Sequence, residues 1–557
     1  MNVRHVGALC VLLIGLACHA PARSSEESTM TAAASPVVRT TAGLLEGQAL
    51  DSLDVFKGIP YATPPVGPLR WKPPVPMAAW EGTRKATEFG PACVQPKPTL
   101  SNIYEGLPMP VSEDCLSLNV WAPREARGAP VIVWIHGGAL WGGANRDPLY
   151  DGARLARPGT VVVSINYRLG PLGWLAHPAL SAESPHGTSG NYGLLDQIAA
   201  LRWVRDNIHA FGGDPANVTI AGESAGGLTV MYLLAAPQAR GLFAKAIAQS
   251  AYMISMPELK ASRFGTPSAE ESGVQLAAAL KAPDLAALRA MDAEKLTAAA
   301  AAARFGPWLT VDGDVVPAQL VDIFDQRKQA PVPLLAGFNS GEIRSLRALA
   351  PPVPANASAY EPVIRDRYGD LADKFLRLYP GTTLQESILA AARDALYGWT
   401  AESLVHHQAA IGQPAFLYIF DHGYPAADAA QLHAFHASEL PYVFGTFDGT
   451  PPLWPKVPEA PRERRLSDAM IGYWTSFARS GQPVATGEPD WHAFDANEAY
   501  MHFGDTPRAS RHLMPGMYEL VQELVCRRRA AGTQPWNWNF GLWSPQVPAE
   551  NGTCRPS

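Results

Sequence analysis

The sequence predicts an α/β protein with a mostly parallel central sheet that helices cover on both faces. Three short apolar runs, at residues 131–135, 161–165 and 218–220, are rich in β-branched residues. Runs of this kind are typical of strands that are buried on both faces of a parallel sheet. Segments with helical character alternate with them, as expected for helical crossovers between parallel strands.

One of the helices is predicted from its periodicity. Apolar residues recur at spacings of four, three, three and four from Leu194 to Ile208, which places them on one helix face. Gly212 and Gly213 are expected to end this helix. Further strands are predicted at residues 246–248, 332–336 and 416–420.

Two long inserts, residues 258–303 and 358–411, are predicted to be helical from their composition. They fall between late strands, where helices either cap a ligand site or add packing. We expect the main domain to cover residues 37–530. A tryptophan-rich C-terminal extension, residues 531–557, is expected to pack on it.

Composition excludes several classes of protein. The chain has 557 residues, of which 47% are hydrophobic and 17% charged, so it can bury a large core. The formal net charge of −6 and the absence of a long basic run argue against a nucleic-acid partner. The oligomeric state is not indicated.

The first residues resemble the leader of an exported protein. An apolar stretch at residues 6–17 is too short to span a bilayer, and small residues suited to a signal peptidase follow it. We expect a signal peptide over residues 1–22 and a disordered lead-in over residues 23–36. The protein is then secreted or periplasmic, with no stable membrane span. Lipidation at Cys18 is the alternative that this leader leaves open.

Export makes disulfide bonds possible. Four cysteines lie outside the leader and allow three pairings: Cys93, Cys115, Cys526 and Cys554. The local pairings, Cys93 with Cys115 and Cys526 with Cys554, are favoured. The alternative is that Cys526 and Cys554 remain free thiols.

The most informative motif is Ala-Gly-Glu-Ser-Ala-Gly-Gly at residues 221–227. It places Ser224 at a sharp corner between a predicted strand and a predicted helix. Gly222 and Gly226 are needed because side chains at these positions would collide at the corner. This G-x-S-x-G context predicts a nucleophilic serine and therefore a serine hydrolase.

A serine nucleophile needs donors that stabilise the negative charge developing on the attacked carbonyl oxygen. The sequence His-Gly-Gly-Ala-Leu-Trp-Gly-Gly at residues 136–143 directly follows a predicted strand. A glycine-rich bend at this position lets backbone N–H groups approach a ligand, which predicts an oxyanion hole. A phosphate-binding loop is the competing interpretation, but neither G-K-[ST] nor G-x-G-x-x-G is present.

The serine also needs a base. Among the 14 histidines, His436 stands in a loop before an apolar stretch and is the favoured candidate. Together with His433 and Glu439 it could instead be interpreted as a metal ligand. The spacing is not H-E-x-x-H and Pro441 soon interrupts any helix, so we expect neither a metal nor a cofactor.

An acid must orient the base, and in this fold class it lies between serine and histidine along the chain. Glu342 follows the predicted strand 332–336 and is favoured by spacing. Asp312 and Asp314 are the rival candidates, although their sequence context is typical of a turn.

Three segments show a family resemblance. Residues 56–70, 113–120 and 211–227 resemble the signatures of type-B carboxylesterases, the cholinesterase-like branch of the α/β-hydrolase fold. The resemblance covers about residues 39–526. In pattern the chain is closest to bacterial p-nitrobenzyl esterases, whose bend also has the sequence H-G-G-A.

The resemblance implies a role for each matching position. Glu342 and His436 fall on the family's acid and base, and Cys115 falls on a cysteine that pairs upstream, here with Cys93. The family's oxyanion donors fall on the backbone N–H groups of Gly138, Ala139 and Ala225. Glu439 matches a second carboxylate near the triad, and Ser250 matches a serine that hydrogen-bonds the triad acid.

The resemblance also implies hydrolysis of small-to-medium carboxylic esters through an acyl-enzyme, bulky alcohol esters included. Leu140 departs from the usual aromatic residue, which affects the acyl-side pocket. Tyr104 is the only aromatic residue between Cys93 and Cys115, so we do not expect choline esters to be preferred. A lipase-like hydrolase of long-chain esters and a non-catalytic binding module of the same fold are the alternatives.

Overall fold

A computed structural model describes residues 35–97, 102–537, 540–550, 552 and 554. The expected signal peptide, the potential lipidation site Cys18 and nearly all of the expected lead-in lie outside the described residues.

The strands of the described residues are short at the start of the chain and longer in the central sheet. In chain order they are β1 (Val37–Arg39), β2 (Leu44–Glu46), β3 (Gln48–Leu50), β4 (Leu53–Pro60), β5 (Thr83–Lys85), β6 (Ala92–Cys93), β7 (Val111–Ser112), β8 (Ser117–Pro123), β9 (Ala129–Ile135), β10 (Val161–Ile165), β11 (Gly213–Glu223), β12 (Lys245–Gln249), β13 (Leu334–Asn339), β14 (Ala415–Phe420), β15 (Ala499–Phe503) and β16 (Pro507–Arg511).

The central sheet has 11 strands in the order β16-β15-β14-β13-β12-β11-β9-β10-β8-β4-β3. Pairing is parallel from β10 through β9 and β11 to β15, and antiparallel at both edges. The predicted mostly parallel sheet is therefore confirmed. The antiparallel edge strands were not predicted, because they lack the continuous apolar runs that mark strands buried on both faces.

The helices lie between the later strands and after them. In chain order they are α1 (Ala153–Ala156), α2 (Gly170–Trp174), α3 (Pro178–Glu183), α4 (Tyr192–Asn207), α5 (Ala225–Ala235), α6 (Ala269–Ala279), α7 (Leu285–Ala290), α8 (Ala293–Ala302), α9 (Leu320–Asp325), α10 (Glu342–Ser345), α11 (Ala357–Tyr368), α12 (Ala372–Leu378), α13 (Leu384–Arg393), α14 (Trp399–Ala410), α15 (Pro425–Ala429), α16 (Leu440–Phe444), α17 (Pro461–Ser480) and α18 (Met517–Ala531). A π-helical turn, Asp394–Gly398, joins α13 to α14.

Strand β9 shows why the central strands are apolar on both sides. Val131, Val133 and Ile135 belong to one core cluster, which includes residues of α4 and α5. Ile132 and Trp134 belong to the opposite cluster, which includes residues of α17. Successive side chains of a strand point to opposite faces, so helices on both faces require an unbroken apolar run.

One strand begins later than predicted. The run 332–336 was expected to be a strand, but β13 covers Leu334–Asn339. Pro331 and Pro333 flank Val332 and cannot donate backbone hydrogen bonds to a neighbouring strand, so the ladder begins only after them. The strand also ends later than predicted, at Asn339, which is closer to Glu342.

Two disulfide bonds form, and both are the favoured local pairings, which join cysteines 22 and 28 residues apart. Cys93 pairs with Cys115 and Cys526 pairs with Cys554, with Cα atoms 5.0 Å and 5.8 Å apart. Among the described residues, no helix combines the length and the apolar character needed to cross a bilayer.

Candidate active site

Ser224 occupies a strained corner at the end of β11, immediately before α5. Its backbone has a positive φ of 56° together with ψ −120°, a conformation that a non-glycine residue rarely adopts. A Cβ atom at Gly226 would lie 2.1 Å from the carbonyl oxygen of Ile135, and one at Gly222 would lie 2.6 Å from the backbone of Gly226. The predicted need for glycine on either side of the serine is confirmed.

The H-G-G-A bend, residues 136–139, lies beside this corner and lines the same cavity as Ser224 and His436. Gly138 has φ 108° and Ala139 has φ 55°, and a Cβ atom at Gly138 would lie only 2.2 Å from the carbonyl oxygen of Gly142. The side chain of Gln95 holds the bend, because it accepts a hydrogen bond from Gly143 N at 3.0 Å and donates one to Gly143 O at 3.2 Å.

Three backbone N–H groups are candidates for holding an oxyanion. Within the described part of the chain, the N–H groups of Gly138, Ala139 and Ala225 donate no hydrogen bond to another protein group. Ala225 is also the first residue of α5, where the helix dipole favours negative charge. Unpaired donors of this kind can bind negative charge that develops on a substrate.

His436 makes its closest contact with the carboxylate predicted to orient it. Its Nδ1 atom hydrogen-bonds Oε2 of Glu342, which is fully buried at the start of α10. The other carboxylate oxygen of Glu342 accepts a hydrogen bond from Asn339 N at 2.8 Å. Glu342 is thereby held in place, and its contact fixes the orientation of the imidazole.

The opposite ring nitrogen of His436 faces a carboxylate that the sequence did not single out. His436 Nε2 lies 3.1 Å from Oε1 of Glu223, the residue before the corner serine. The two atoms are at ion-pair distance, but their alignment is too poor for a hydrogen bond, and Oε1 has no hydrogen-bond partner among the described residues. Among the same residues, no hydrogen bond joins His436 to the hydroxyl of Ser224.

Three buried carboxylates shape the titration of this imidazole. Burial lowers the pKa of His436, but Glu223, Glu342 and Glu439 raise it, and the resulting pKa is about 9. Burial raises the pKa of Glu223 to about 8, with the neighbouring carboxylates adding to the rise and His436 opposing it. Burial and the charge of Glu342 raise the pKa of Glu439 to about 7. The site thus favours a protonated imidazole at neutral pH.

Glu439 does not touch the imidazole through a hydrogen bond. Its two oxygens accept hydrogen bonds from Gln249 Nε2 at 3.0 Å and from Asn339 Nδ2 at 2.6 Å. Because Asn339 also holds Glu342 through its backbone N–H, one residue connects both carboxylates. Glu439 is therefore connected to the triad acid indirectly, through Asn339.

The expected hydrogen bond from Ser250 to the triad acid is absent. The hydroxyl of Ser250 is buried and has no hydrogen-bond partner among the described residues. Ser250 follows β12 with a left-handed backbone, φ 44°, and its N–H donates to Gly337 O at 2.8 Å. This turn sets the direction of the Ser250 side chain, and no pattern in the sequence indicates the turn.

The rival candidates lie in other environments. Asp312 accepts hydrogen bonds from Asn191 and from the backbone of its own turn, as its sequence context suggested. His433 contacts Asp421 and Asp428, whereas His436 contacts Glu342. In the described residues, no group of three or more His, Cys, Asp and Glu side chains is arranged to hold a metal ion.

Ser224, His436 and the bend open into one cavity of about 460 Å³. Its other walls are mostly apolar and aromatic; two of the residues, at positions 396 and 397, belong to the second helical insert, and the others lie outside both inserts. They are Tyr104, Asp147, Leu149, Tyr150, Glu223, Tyr252, Trp308, Leu346, Ala348, Leu349, Leu396, Tyr397, Ala437, Leu440, Pro451 and Trp454. Leu140, the departure from the family pattern, is fully buried and lies outside this lining.

Tyr104 contributes more to the site than its sequence position indicated. Its hydroxyl donates its one proton to the carbonyl oxygen of His436 at 3.0 Å and accepts a hydrogen bond from Ser345 Oγ at 2.6 Å. It therefore connects the Cys93–Cys115 loop both to α10, which begins at Glu342, and to the loop that carries His436, which is called the histidine loop below. The only signal in the sequence was that Tyr104 is the sole aromatic residue of this loop.

Comparisons with known proteins show which family the chain belongs to. The profile of the carboxylesterase family matches residues 34–521. The chain is 37% identical to the fumonisin B1 esterase of Sphingopyxis macrogoltabida, over 84% of this chain and 86% of that protein. It is also 37% identical to the para-nitrobenzyl esterase of Bacillus subtilis (strain 168), over 82% of this chain and 92% of that protein.

A solved structure shows the same fold. A PNB esterase, 34% identical, superposes with a TM-score of 0.76 and covers 87% of this chain and 99% of its own. The resemblance to type-B carboxylesterases of the p-nitrobenzyl-esterase kind is thereby confirmed. The chain belongs to the carboxylesterase family and is a serine carboxylic ester hydrolase with the α/β-hydrolase fold.

Proposed function

We propose that Ser224, His436 and Glu342 hydrolyse carboxylic esters through an acyl-enzyme intermediate. Neutral His436 takes the proton of the Ser224 hydroxyl as its oxygen attacks the ester carbonyl. Glu342 accepts the Nδ1–H hydrogen bond, which leaves the Nε2 lone pair directed away from it, and it stabilises the imidazolium that forms. The N–H groups of Gly138, Ala139 and Ala225 hold the oxyanion.

The acyl-enzyme then forms and is hydrolysed in two further steps. Protonated His436 gives its proton to the leaving alkoxide, and the alcohol departs while the acyl group stays on Ser224. A water molecule, deprotonated by the same imidazole, attacks the acyl carbonyl; the imidazolium then returns a proton to Ser224 Oγ as the acyl–oxygen bond breaks, which releases the carboxylic acid and restores the enzyme. This sequence needs no metal and no cofactor.

The observation that carries this proposal is the contact between buried Glu342 and His436, which shares one cavity with the strained Ser224. In an unliganded site, the hydrogen bond between nucleophile and base is often long or misaligned and tightens when substrate binds. His436 Nε2 lies 3.1 Å from Oε1 of Glu223, the residue that directly precedes Ser224 in the chain.

Three substitutions test the triad. Ser224→Ala is expected to abolish turnover of p-nitrophenyl acetate. Glu342→Gln is expected to lower kcat by about four orders of magnitude, the cost of an equivalent acid-to-amide change in a serine protease. Asp312→Asn, the matched control at the rival acid, is expected to leave kcat unchanged. Full activity of Glu342→Gln would contradict the proposal, as would an equal loss from Asp312→Asn.

The size of the cavity and its apolar lining support small-to-medium esters as substrates, bulky alcohol esters included. Tyr104 lines the cavity, but its hydroxyl is engaged with Ser345 and His436, and choline esters are not expected to be preferred. A series of p-nitrophenyl esters of increasing acyl length separates this assignment from a lipase-like preference for long chains. Rising kcat/KM up to long-chain esters would favour the lipase alternative.

A non-catalytic role of the same fold predicts a different result. A binding module would not react with a fluorophosphonate probe, whereas the proposed triad is expected to be labelled rapidly. We further propose that the protein is exported, since two disulfide bonds are stable in an oxidising compartment. Determining the N-terminus of the mature protein distinguishes cleavage after residue 22 from lipidation at Cys18.

A further inference from the structure

The C-terminal extension lies beyond the part of the chain that the family profile matches, residues 34–521. It leaves α18 at Gly532, which has a left-handed φ of 67°, and turns back toward the body of the domain. The Cys526–Cys554 disulfide then ties its far end to α18. The extension is therefore closed into a loop at a defined place.

Its middle is inserted into the protein rather than laid on the surface. Trp536 and Asn537 are both fully buried. The ring of Trp536 lies 6.4 Å from that of Trp399, the first residue of α14. Farther along, Gly541 N donates to the hydroxyl of Tyr368 at 2.7 Å, which attaches the extension to α11.

The side chain of buried Asn537 reaches residues 251–257, a segment that is called the Tyr252 wall below because Tyr252 lines the substrate cavity. Its Nδ2 atom donates to the carbonyl oxygen of Met253 at 2.5 Å. Met253 adjoins Tyr252, which lines the cavity. The ring of Tyr252 lies 6.1 Å from that of Tyr397, which in turn lies 5.4 Å from the imidazole of His436.

Residues 251–257 have neither helical nor strand structure, so side chains from elsewhere must hold them. The backbone N–H of Met253 donates to Thr400 Oγ1 at 2.9 Å, and its carbonyl oxygen accepts from Asn537. The backbone of Met256 is bonded on both sides by Gln319, at 3.0 Å and 2.8 Å. Among the described residues, three side chains hydrogen-bond the backbone of this segment, and Asn537 is the one that comes from the extension.

We propose that the C-terminal extension, through Asn537 and the Cys526–Cys554 disulfide, positions the Tyr252 wall and thereby sets which esters the cavity accepts. The inference rests on the proposed function of Ser224. Asn537 is a positioning residue, since it acts on Tyr252 through the backbone of Met253. Its loss is expected to affect large substrates, which need the wall, more than small ones.

The test compares Asn537→Ala with Gln534→Ala, a control in the same extension whose side chain, among the described residues, hydrogen-bonds only Gln546 O, at 3.4 Å. The substrates are p-nitrophenyl acetate, p-nitrophenyl octanoate and linalyl acetate, an ester of a bulky tertiary alcohol. For Asn537→Ala we expect kcat/KM to fall about tenfold or more on at least one large ester, mainly through KM. On p-nitrophenyl acetate, and in the rate of fluorophosphonate labelling, a change within about twofold is expected.

A merely structural role gives a different pattern. An equal loss on all three esters, no change on any of them, or the same size dependence in Gln534→Ala would overturn the inference. If Asn537→Ala does not fold, the Cys526→Ser/Cys554→Ser double variant serves in its place and is expected to show the same dependence on ester size. Failure of the proposed function is distinguishable, because hydrolysis of all three esters would then survive Ser224→Ala.

Discussion

Replacing Glu223 by Gln is expected to move the pH dependence of ester hydrolysis toward lower pH. Burial lowers the pKa of His436, but Glu223, Glu342 and Glu439 raise it to about 9. Catalysis needs the neutral imidazole, so kcat/KM of the native enzyme is expected to rise with pH into the alkaline range. Gln keeps the shape of the side chain at position 223 and removes the charge nearest to Nε2.

The size of this shift follows from the geometry. Glu223 Oε1 lies 3.1 Å from His436 Nε2. At this separation Coulomb's law gives about 1.3 kcal/mol for a dielectric constant of about 80, and about 5 kcal/mol for one of about 20. One pKa unit corresponds to about 1.4 kcal/mol, so even the strongly screened limit predicts a shift of about one pH unit. The plateau of kcat/KM is expected to fall as well, because the same carboxylate stabilises the imidazolium of the transition state.

The assay is kcat/KM for p-nitrophenyl acetate from about pH 6 to about pH 10, with p-nitrophenol followed at its isosbestic wavelength. Glu81→Gln, at an exposed position, removes the same charge away from the site and is the matched control. A midpoint for Glu223→Gln within about 0.3 units of the native one, or a shift to higher pH, would refute the role assigned to Glu223.

Three further outcomes are expected. Gly226→Ala places a Cβ atom 2.1 Å from a backbone oxygen, so it is expected to lower the melting temperature and abolish fluorophosphonate labelling; unchanged values would contradict the corner geometry. Tyr104→Phe removes the hydroxyl that bonds Ser345 and the carbonyl of His436, and is expected to cost about 1–3 kcal/mol of stability, measured by denaturant unfolding. A stability equal to the native one would show that this link is unimportant. Asp147→Asn keeps the acceptor that caps a helical turn and removes a negative charge from a cavity lined by no lysine or arginine among the described residues. It is expected to raise kcat/KM for p-nitrophenyl hemisuccinate relative to p-nitrophenyl butyrate about threefold or more, and an unchanged ratio would show that Asp147 does not act on substrate charge.

The parts of the site that the sequence predicted are governed by local geometry. Gly222, Gly226 and Gly138 each lie where a Cβ atom would collide with backbone, and such a requirement leaves a mark in the residue pattern. The central strands left a similar mark, because burial on both faces requires an unbroken apolar run. The order of serine, acid and histidine along the chain then restricted the choice of side chains.

The parts that were not predicted depend on contacts between distant segments. The hydroxyl of Tyr104 bonds residues that lie 241 and 332 positions away in the chain. The approach of Glu223 to His436 depends on how the histidine loop returns to β11, and no short pattern encodes this path. The expected hydrogen bond from Ser250 to the triad acid is absent for a related reason, because a left-handed turn after β12 sets the direction of the Ser250 side chain.

The identity of the nucleophile is tested most directly by mass spectrometry of the enzyme after reaction with a fluorophosphonate, followed by peptide mapping. One adduct is expected, on the peptide that contains Ser224, and it should be lost in Ser224→Ala. An adduct on any other residue, or undiminished labelling of Ser224→Ala, would contradict the assignment of Ser224 as the group that attacks the ester.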